Sequence, residues 1–378
     1  MKIAIITLSG YDNLGNRLQN LAMEKIFRKY SSEVITLFQG VGEIYSPNND
    51  ESFYAHYKKL KPIYGEDYVS IKNNIMKNTD DNITFKKERL ERFISLKKFS
   101  EKYLNEIDYN LPENQVPNSI EKQYDYFVVG SDQVWNPLWA TPNRLLAFTR
   151  KEKKIAFATS FGVSIIPESM TNFYKELLSN INYLAVREIR GKEIIKSLVN
   201  RDVPVLLDPT LVLPKNEWLN HLKPHEVKPG KKYLLTYILG RYTKKITEDV
   251  EYISRRYDLD VVNLGRLEEP KFINTDPEEF LDYIIDAEIL LTDSYHGVIF
   301  SNLLNTPYII YERNDHLPEM NSRIRTLDLF FNVKKRDRKK INLADEKILY
   351  YKDDLFEFKK DKLVLESKKF LKTIFSNQ

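Results

Sequence analysis

The sequence predicts an α/β protein of two domains, each a parallel sheet covered by helices, and three observations predict it. Short apolar runs alternate with segments of helical period. The stretch AEILLTDSYHGVIFSNLLNTPYIIY (287–311) shows the unit best: a strand at Ala287–Leu291, a polar turn at Asp293–Gly297, a helix at Val298–Leu304 and a second strand at Pro307–Tyr311. At 378 residues, the chain exceeds what one hydrophobic core usually serves. Finally, KPHEVKPGKK (223–232), with two prolines, a glycine and four lysines, reads as a linker.

Taken in order, Lys2–Leu8 is the first strand, and Ser9–Asn16 is a loop of Gly, Asp and Asn. Arg17–Tyr30 carries apolar residues at 18, 21, 22, 26 and 27, an amphipathic helix, and Glu33–Phe38 is the second strand. Residues 41–120 are polar and rich in Lys, Asn and Tyr, helical over Phe85–Leu104, and read as an insertion on one face, a candidate substrate lid. Strands follow at Tyr124–Gly130, Lys154–Ser160, Tyr183–Val186 and Val205–Leu207, with helices from Pro167 and over Gly191–Leu198 between them. Past the linker come a strand at Tyr233–Leu239, a helix over 243–257, a strand at Asp260–Leu264 and a helix at Pro277–Ile285. Ser322–Phe331 is a helix. This partition gives an N-terminal domain over 1–222, the linker, a C-terminal domain over 233–340 and a tail over 341–378. The tail is helical at Leu355–Ile374 and expected to pack back on the N-terminal domain.

Composition narrows the chemistry. The absence of cysteine excludes disulfides, thiolate nucleophiles, iron–sulfur clusters and cysteine zinc sites. His221 and His225 bracket Pro224 without the His-Glu-x-x-His order, so no metal site is expected, and no cofactor. A net charge of +4 suits anionic substrates or an anionic membrane surface. The run KKRDRKK (334–340) lacks interleaved aromatics, which argues against nucleic acid and leaves a solvated face or peripheral contact with anionic lipid. No apolar run has membrane-spanning length, and MKIAIITLSG is short for a signal peptide, so the expected location is the cytoplasm, including the inner face of the membrane.

The candidate site comes from strand ends. In a parallel sheet, ligands bind at the carboxyl ends of strands, where the following helices present amides and their positive dipole ends. Four consecutive strands end in polar residues: Gly130-Ser131-Asp132, Ser160-Phe161-Gly162, Arg187-Glu188 and Asp208-Pro209-Thr210. One such end is ordinary turn chemistry; the recurrence points to a lined cleft. Arg187 is there either for an anion or for an ion pair with Glu188 or another acid. Asn16 and Arg17 open a helix at a strand end, as a capping residue and solvated cation or as an anion holder. Asp293, Ser294 and His296 occupy the same kind of junction. The helix dipole disfavours the cationic imidazole there, so an anion is the expected companion of His296.

Collected in order, Gly15-Asn16-Arg17-Leu18-Gln19-Asn20, Val129-Gly130-Ser131-Asp132-Gln133-Val134-Trp135-Asn136, Ala158-Thr159-Ser160-Phe161-Gly162, Val186-Arg187-Glu188, Asp208-Pro209-Thr210-Leu211, Thr292-Asp293-Ser294-Tyr295-His296-Gly297 and Ser322-Arg323-Ile324 resemble the polysaccharide pyruvyl transferase family. The resemblance runs from residue 1 to about 330. It implies two Rossmann-like halves facing a cleft, similar to GT-B glycosyltransferases, with phosphoenolpyruvate as donor, a sugar (free or lipid-linked) as acceptor, and a pyruvate ketal as product. The family's donor-site histidine and arginine map to His296 and Arg187. Some members have an arginine two residues before the histidine; Ser294 stands there in this chain, which shifts phosphate binding to Arg323, Arg17 or Arg187. Asp132 and Asp293 are candidate bases for the sugar hydroxyl, and Ser131 a further substrate contact. A nucleotide-sugar glycosyltransferase and a non-catalytic carbohydrate- or anion-binding protein share this architecture.

Overall fold

The computed structural model describes residues 1–38 apart from 9 and 12, 83–108, 118–137, 140–225, 229–266, 269–314, 322–351, 353 and 355–376. The lid reading of 41–120 falls mostly on residues outside these. In chain order the elements are β1 (Lys2–Ile6), α1 (Leu14–Phe27), β2 (Glu33–Phe38), α2 (Ile83–Tyr103), β3 (Glu106–Asp108), β4 (Tyr126–Val129), β5 (Lys154–Thr159), α3 (Thr171–Ser179), β6 (Tyr183–Val186) and α4 (Ile189–Val199). They continue as β7 (Tyr233–Tyr237), α5 (Lys244–Tyr257), β8 (Asp260–Asn263), α6 (Pro277–Asp286), β9 (Ile289–Thr292), α7 (Tyr295–Leu304), β10 (Tyr308–Ile310), α8 (Ser322–Phe331) and α9 (Phe356–Phe375).

Two compact units result. The first takes the described residues within Met1–Asn82, Ser100–Val212 and Leu363–Gln378; the second takes Ile83–Phe99 and Leu213–Lys362. The first holds a six-stranded parallel sheet in the order β3-β2-β1-β4-β5-β6, the arrangement of a Rossmann fold. The second holds a four-stranded parallel sheet, β10-β9-β7-β8.

Sequence explains both sheets. Parallel strands are covered on both faces and so read as unbroken apolar runs; β5 is buried along its whole length. On one face of the first sheet, Ala4, Ile6, Phe127, Val129 and Ala156 pack with Trp135, Phe161, Tyr174 and Leu184. On the other, Phe157 meets Phe27 and Phe370, with ring centroids 5.4 and 6.2 Å away. Phe375, near the end of α9, stacks on Tyr30 at 5.0 Å, and this part of the tail thereby completes the first unit's core. In the second unit, Leu234, Ile289, Leu291 and Ile309 pack against Ile246 and Ile253 of α5.

Three elements differ from expectation. The first helix begins at Leu14 rather than Arg17, because the side chain of Asn13, not Asn16, caps it by accepting from the Asn16 amide at 3.2 Å. The stretch read as an insertion supplies β3, which pairs with β2 through Thr36 and Glu106; three residues carry too little periodicity to be read as a strand. Val205 makes only an isolated bridge to Val186 instead of a strand.

One core residue runs against the apolar pattern. Lys154 opens β5 with 0% exposure, and its Nζ has no hydrogen-bond partner among the described residues. Burial pulls its pKa down from 10.5 to about 8, opposed by the charge of Glu152. The unfolded chain therefore holds this proton up to a higher pH than the folded one. Stability should rise as pH climbs from about 8 to 10.5, and the penalty is fully present below 8. Lys154→Met is expected to stabilise the protein by about 1–3 kcal/mol at neutral pH and to flatten that rise. Urea denaturation at several pH values measures both; an unchanged or lowered midpoint would contradict the reading.

Candidate functional site

Each unit gathers part of the predicted site at the carboxyl edge of its sheet. In the first, β4 ends at Gly130, whose φ of +121° favours glycine; a Cβ there would lie 2.3 Å from the Phe157 carbonyl oxygen. The turn continues through Asp132 (φ 61°), whose carboxylate meets Arg187 just past the end of β6. Arg187 follows β6, 2% exposed, and donates through Nη2 to Asp132 Oδ1 at 3.0 Å and through Nη1 to Asp208 Oδ2. The other oxygen of Asp208 accepts from the Thr210 amide at 2.9 Å and its hydroxyl at 2.6 Å. Glu188, the next residue, serves the turn after β5: its Oε1 accepts from the Ser160 hydroxyl and the Phe161 and Gly162 amides at 2.9, 2.9 and 3.3 Å. Ser131 spends its hydroxyl on the Ala158 carbonyl at 2.7 Å. Burying one guanidinium between two carboxylates is tolerable only because the charges are mutually paired.

Arg17 lies elsewhere in the same unit. It is fully buried, donating to Glu106 Oε1 at 2.5 Å, Ser100 Oγ at 3.3 Å and the Leu8 carbonyl at 3.1 Å. It is therefore a structural cation that ties α1 to β3, not the solvated arginine that one reading expected. Asn16 is half-buried on the first turn of α1, its amide taken by Asn13.

In the second unit the opening of α7 carries Asp293, Ser294 and His296. Asp293 reaches back across the sheet: Oδ1 accepts from the Leu239 amide at 2.7 Å and Oδ2 from Gly240 at 2.8 Å. Ser294 is the N-cap, accepting from the Gly297 amide at 3.3 Å. A Cβ on Gly297 would come within 2.5 Å of Thr292 Oγ1, so glycine sets how closely α7 starts above β9. His296 sits on the first turn, 4% exposed, its ring edge-on to Tyr295 with centroids 5.5 Å apart. Arg323 of α8, buried as well, places its guanidinium 5.4 Å from the Tyr295 ring, a cation–π contact. An imidazole, an arginine and a helix N-terminus thus share one edge of this sheet, a combination suited to holding an anion and moving a proton.

The structure pairs Asp132 with Arg187, groups Ser294, His296 and Arg323 around Tyr295, and commits Arg17 and Asp293 to other partners. Sequence reasoning named the Asp208 segment but not its role as second carboxylate on Arg187. It missed Glu106, which lies in a stretch without a motif. The basic run is divided: Arg336 is buried and donates to the Tyr308 and Ile348 carbonyls and the half-buried Arg338 pairs with both oxygens of Asp249, while Lys335, Lys339 and Lys340 are exposed, the first two pairing with Asp353 and Glu312. Among the described residues no helix is long and apolar enough to cross a membrane.

A model of the family described as polysaccharide pyruvyl transferase matches residues 13–315. No curated protein matches the sequence. Among solved structures, a putative UDP-N-acetylglucosamine 2-epimerase from Listeria monocytogenes is similar over 100% of this chain and 98% of its own, with 12% identity and a TM-score of 0.50. A UDP-GlcNAc 2-epimerase from Neisseria meningitidis matches over 97% and 99%, with 9% identity and a TM-score of 0.49. At such identity the Listeria likeness speaks to fold alone, an α/β architecture of GT-B type.

Proposed function

Because the chain belongs to the polysaccharide pyruvyl transferase family, we propose that it transfers the pyruvyl group of phosphoenolpyruvate onto two hydroxyls of a sugar, forming a ketal and releasing phosphate. The observation that carries the reading in this chain is the grouping of His296, Arg323 and the Ser294-capped N-terminus of α7 at one sheet edge.

The chemistry is assigned as follows. His296 gives a proton to C3 of the donor, which becomes a methyl group as C2 turns cationic. A sugar hydroxyl attacks C2 and loses its proton to a base. The C2–O bond to phosphate breaks, a second hydroxyl closes on C2, and its proton leaves with phosphate. Arg323 is the cation for the phosphate, in place of the arginine that some relatives carry where Ser294 stands, and the positive dipole end of α7 adds to it. Both oxygens of Asp293 accept backbone amides, so Asp293 holds the turn after β7 rather than acting as the base. The acceptor belongs to a cell-surface polysaccharide or its lipid-linked precursor, and the protein works in the cytoplasm, where phosphoenolpyruvate is made.

The test is phosphate release from phosphoenolpyruvate with a panel of cell-wall and capsule sugars, free and lipid-linked. Release that requires a sugar, with a ketal methyl in the product, is expected. Stabilisation by nucleotide sugars without release from phosphoenolpyruvate would favour glycosyl transfer and overturn the proposal.

A further inference from the structure

We propose that His225, Asp282 and Asp286 form a binding site for a divalent transition cation of the zinc type, independent of the pyruvyl-transfer reading. No metal motif is legible around His225 in the sequence, since its partners lie some 57 residues on. The fold brings one ligand atom from each of the three residues within 4.8 Å of the others. Zinc bonds to nitrogen and oxygen of about 2.0–2.2 Å put neighbouring ligand atoms roughly 3.3 Å apart, so closure needs only side-chain adjustment, and Asp286 is exposed and able to turn.

Two features point to a cation. Asp282 and Asp286 stand one turn apart in the last turn of α6, where the helix dipole is negative, and no basic residue in that turn offsets them. Like charges at the wrong end of a helix are unfavourable alone and favourable around a cation. The imidazole is also held in place. His225 is buried, its ring stacks on Tyr283 with centroids 4.1 Å apart, and Nδ1 and the backbone amide both lie against Asp282 Oδ2, at 2.6 and 2.9 Å. The cluster faces a hollow of about 490 Å³, lined also by Pro224, Pro229, Lys231 and Lys232. The two lysines do not occupy the cation's place: Lys231 pairs with Asp258 at 2.5 Å and Lys232 with Glu288 at 2.7 Å. One imidazole with two carboxylates suits zinc, cobalt or nickel better than magnesium or calcium, which prefer oxygen alone. Filled, the site would clip the segment after His221 to α6.

The test uses the full chain, stripped with chelator and titrated with zinc, cobalt and magnesium chlorides. One zinc per chain, a raised melting temperature, and visible absorption bands from bound cobalt are expected, with magnesium giving neither heat nor shift. Asp286→Asn, at an exposed position, should weaken zinc binding at least ~tenfold without altering the metal-free melting temperature. His225→Gln should abolish the cobalt bands. No zinc uptake by the wild type, or equal affinity in the wild type and Asp286→Asn, would overturn the proposal whatever becomes of the transferase activity.

Discussion

His296→Ala is expected to lower phosphoenolpyruvate-dependent phosphate release at least ~10²-fold, the usual cost of a lost acid–base group. The loss should fall on kcat with KM for phosphoenolpyruvate little changed, because a proton donor acts in the transition state while Arg323 and the positive dipole end of α7 hold the ground state. His296 is buried against Tyr295, so a cavity effect must be separated from chemistry. His296→Gln fills much of the space and cannot donate as an acid; it should be as inactive as the alanine variant with a melting temperature near wild type. Activity within a few-fold of wild type in either variant would remove His296 from the chemistry. Arg323→Met, by contrast, should raise KM for phosphoenolpyruvate.

Arg187→Met is expected to destabilise the protein by about 3–5 kcal/mol, the cost of breaking a buried pair and leaving its partners charged. In this case two carboxylates, Asp132 and Asp208, lose their cation at once. Adding Asp132→Asn and Asp208→Asn to Arg187→Met should recover part of the loss, since the uncompensated charges vanish, and urea denaturation of the single and triple variants measures it. A loss under about 1 kcal/mol in the single variant would mean that the cluster is not the structural unit described.

Much of this was legible. The strand–turn–helix–strand unit at 287–311 and the helix at Ser322–Phe331 are strong periodic signals bounded by turn residues, and both fold accordingly. The polar strand ends were legible as positions because a parallel sheet must put all its carboxyl ends on one edge. Their partners were not. Whether Arg187 meets Glu188 or Asp208, and whether Arg17 meets solvent or Glu106, depends on strand order and side-chain direction. A list of strand ends contains neither. β3 escaped notice because it is too short for a period, and Lys154 because a lysine at a strand's start reads as solvated. The basic run 334–340 was legible as a solvated face at Lys335, Lys339 and Lys340, but not in its arginines, where Arg336 turns inward to carbonyls and Arg338 to Asp249.

The most direct test of pyruvyl transfer follows the bridging oxygen of phosphoenolpyruvate, labelled with the heavy isotope. Ketal formation breaks the bond between C2 and that oxygen, so the account predicts that the label leaves in inorganic phosphate while the acceptor gains an unlabelled ketal. Label retained on the three-carbon fragment would show that the phosphorus–oxygen bond is the one cleaved, and would contradict it.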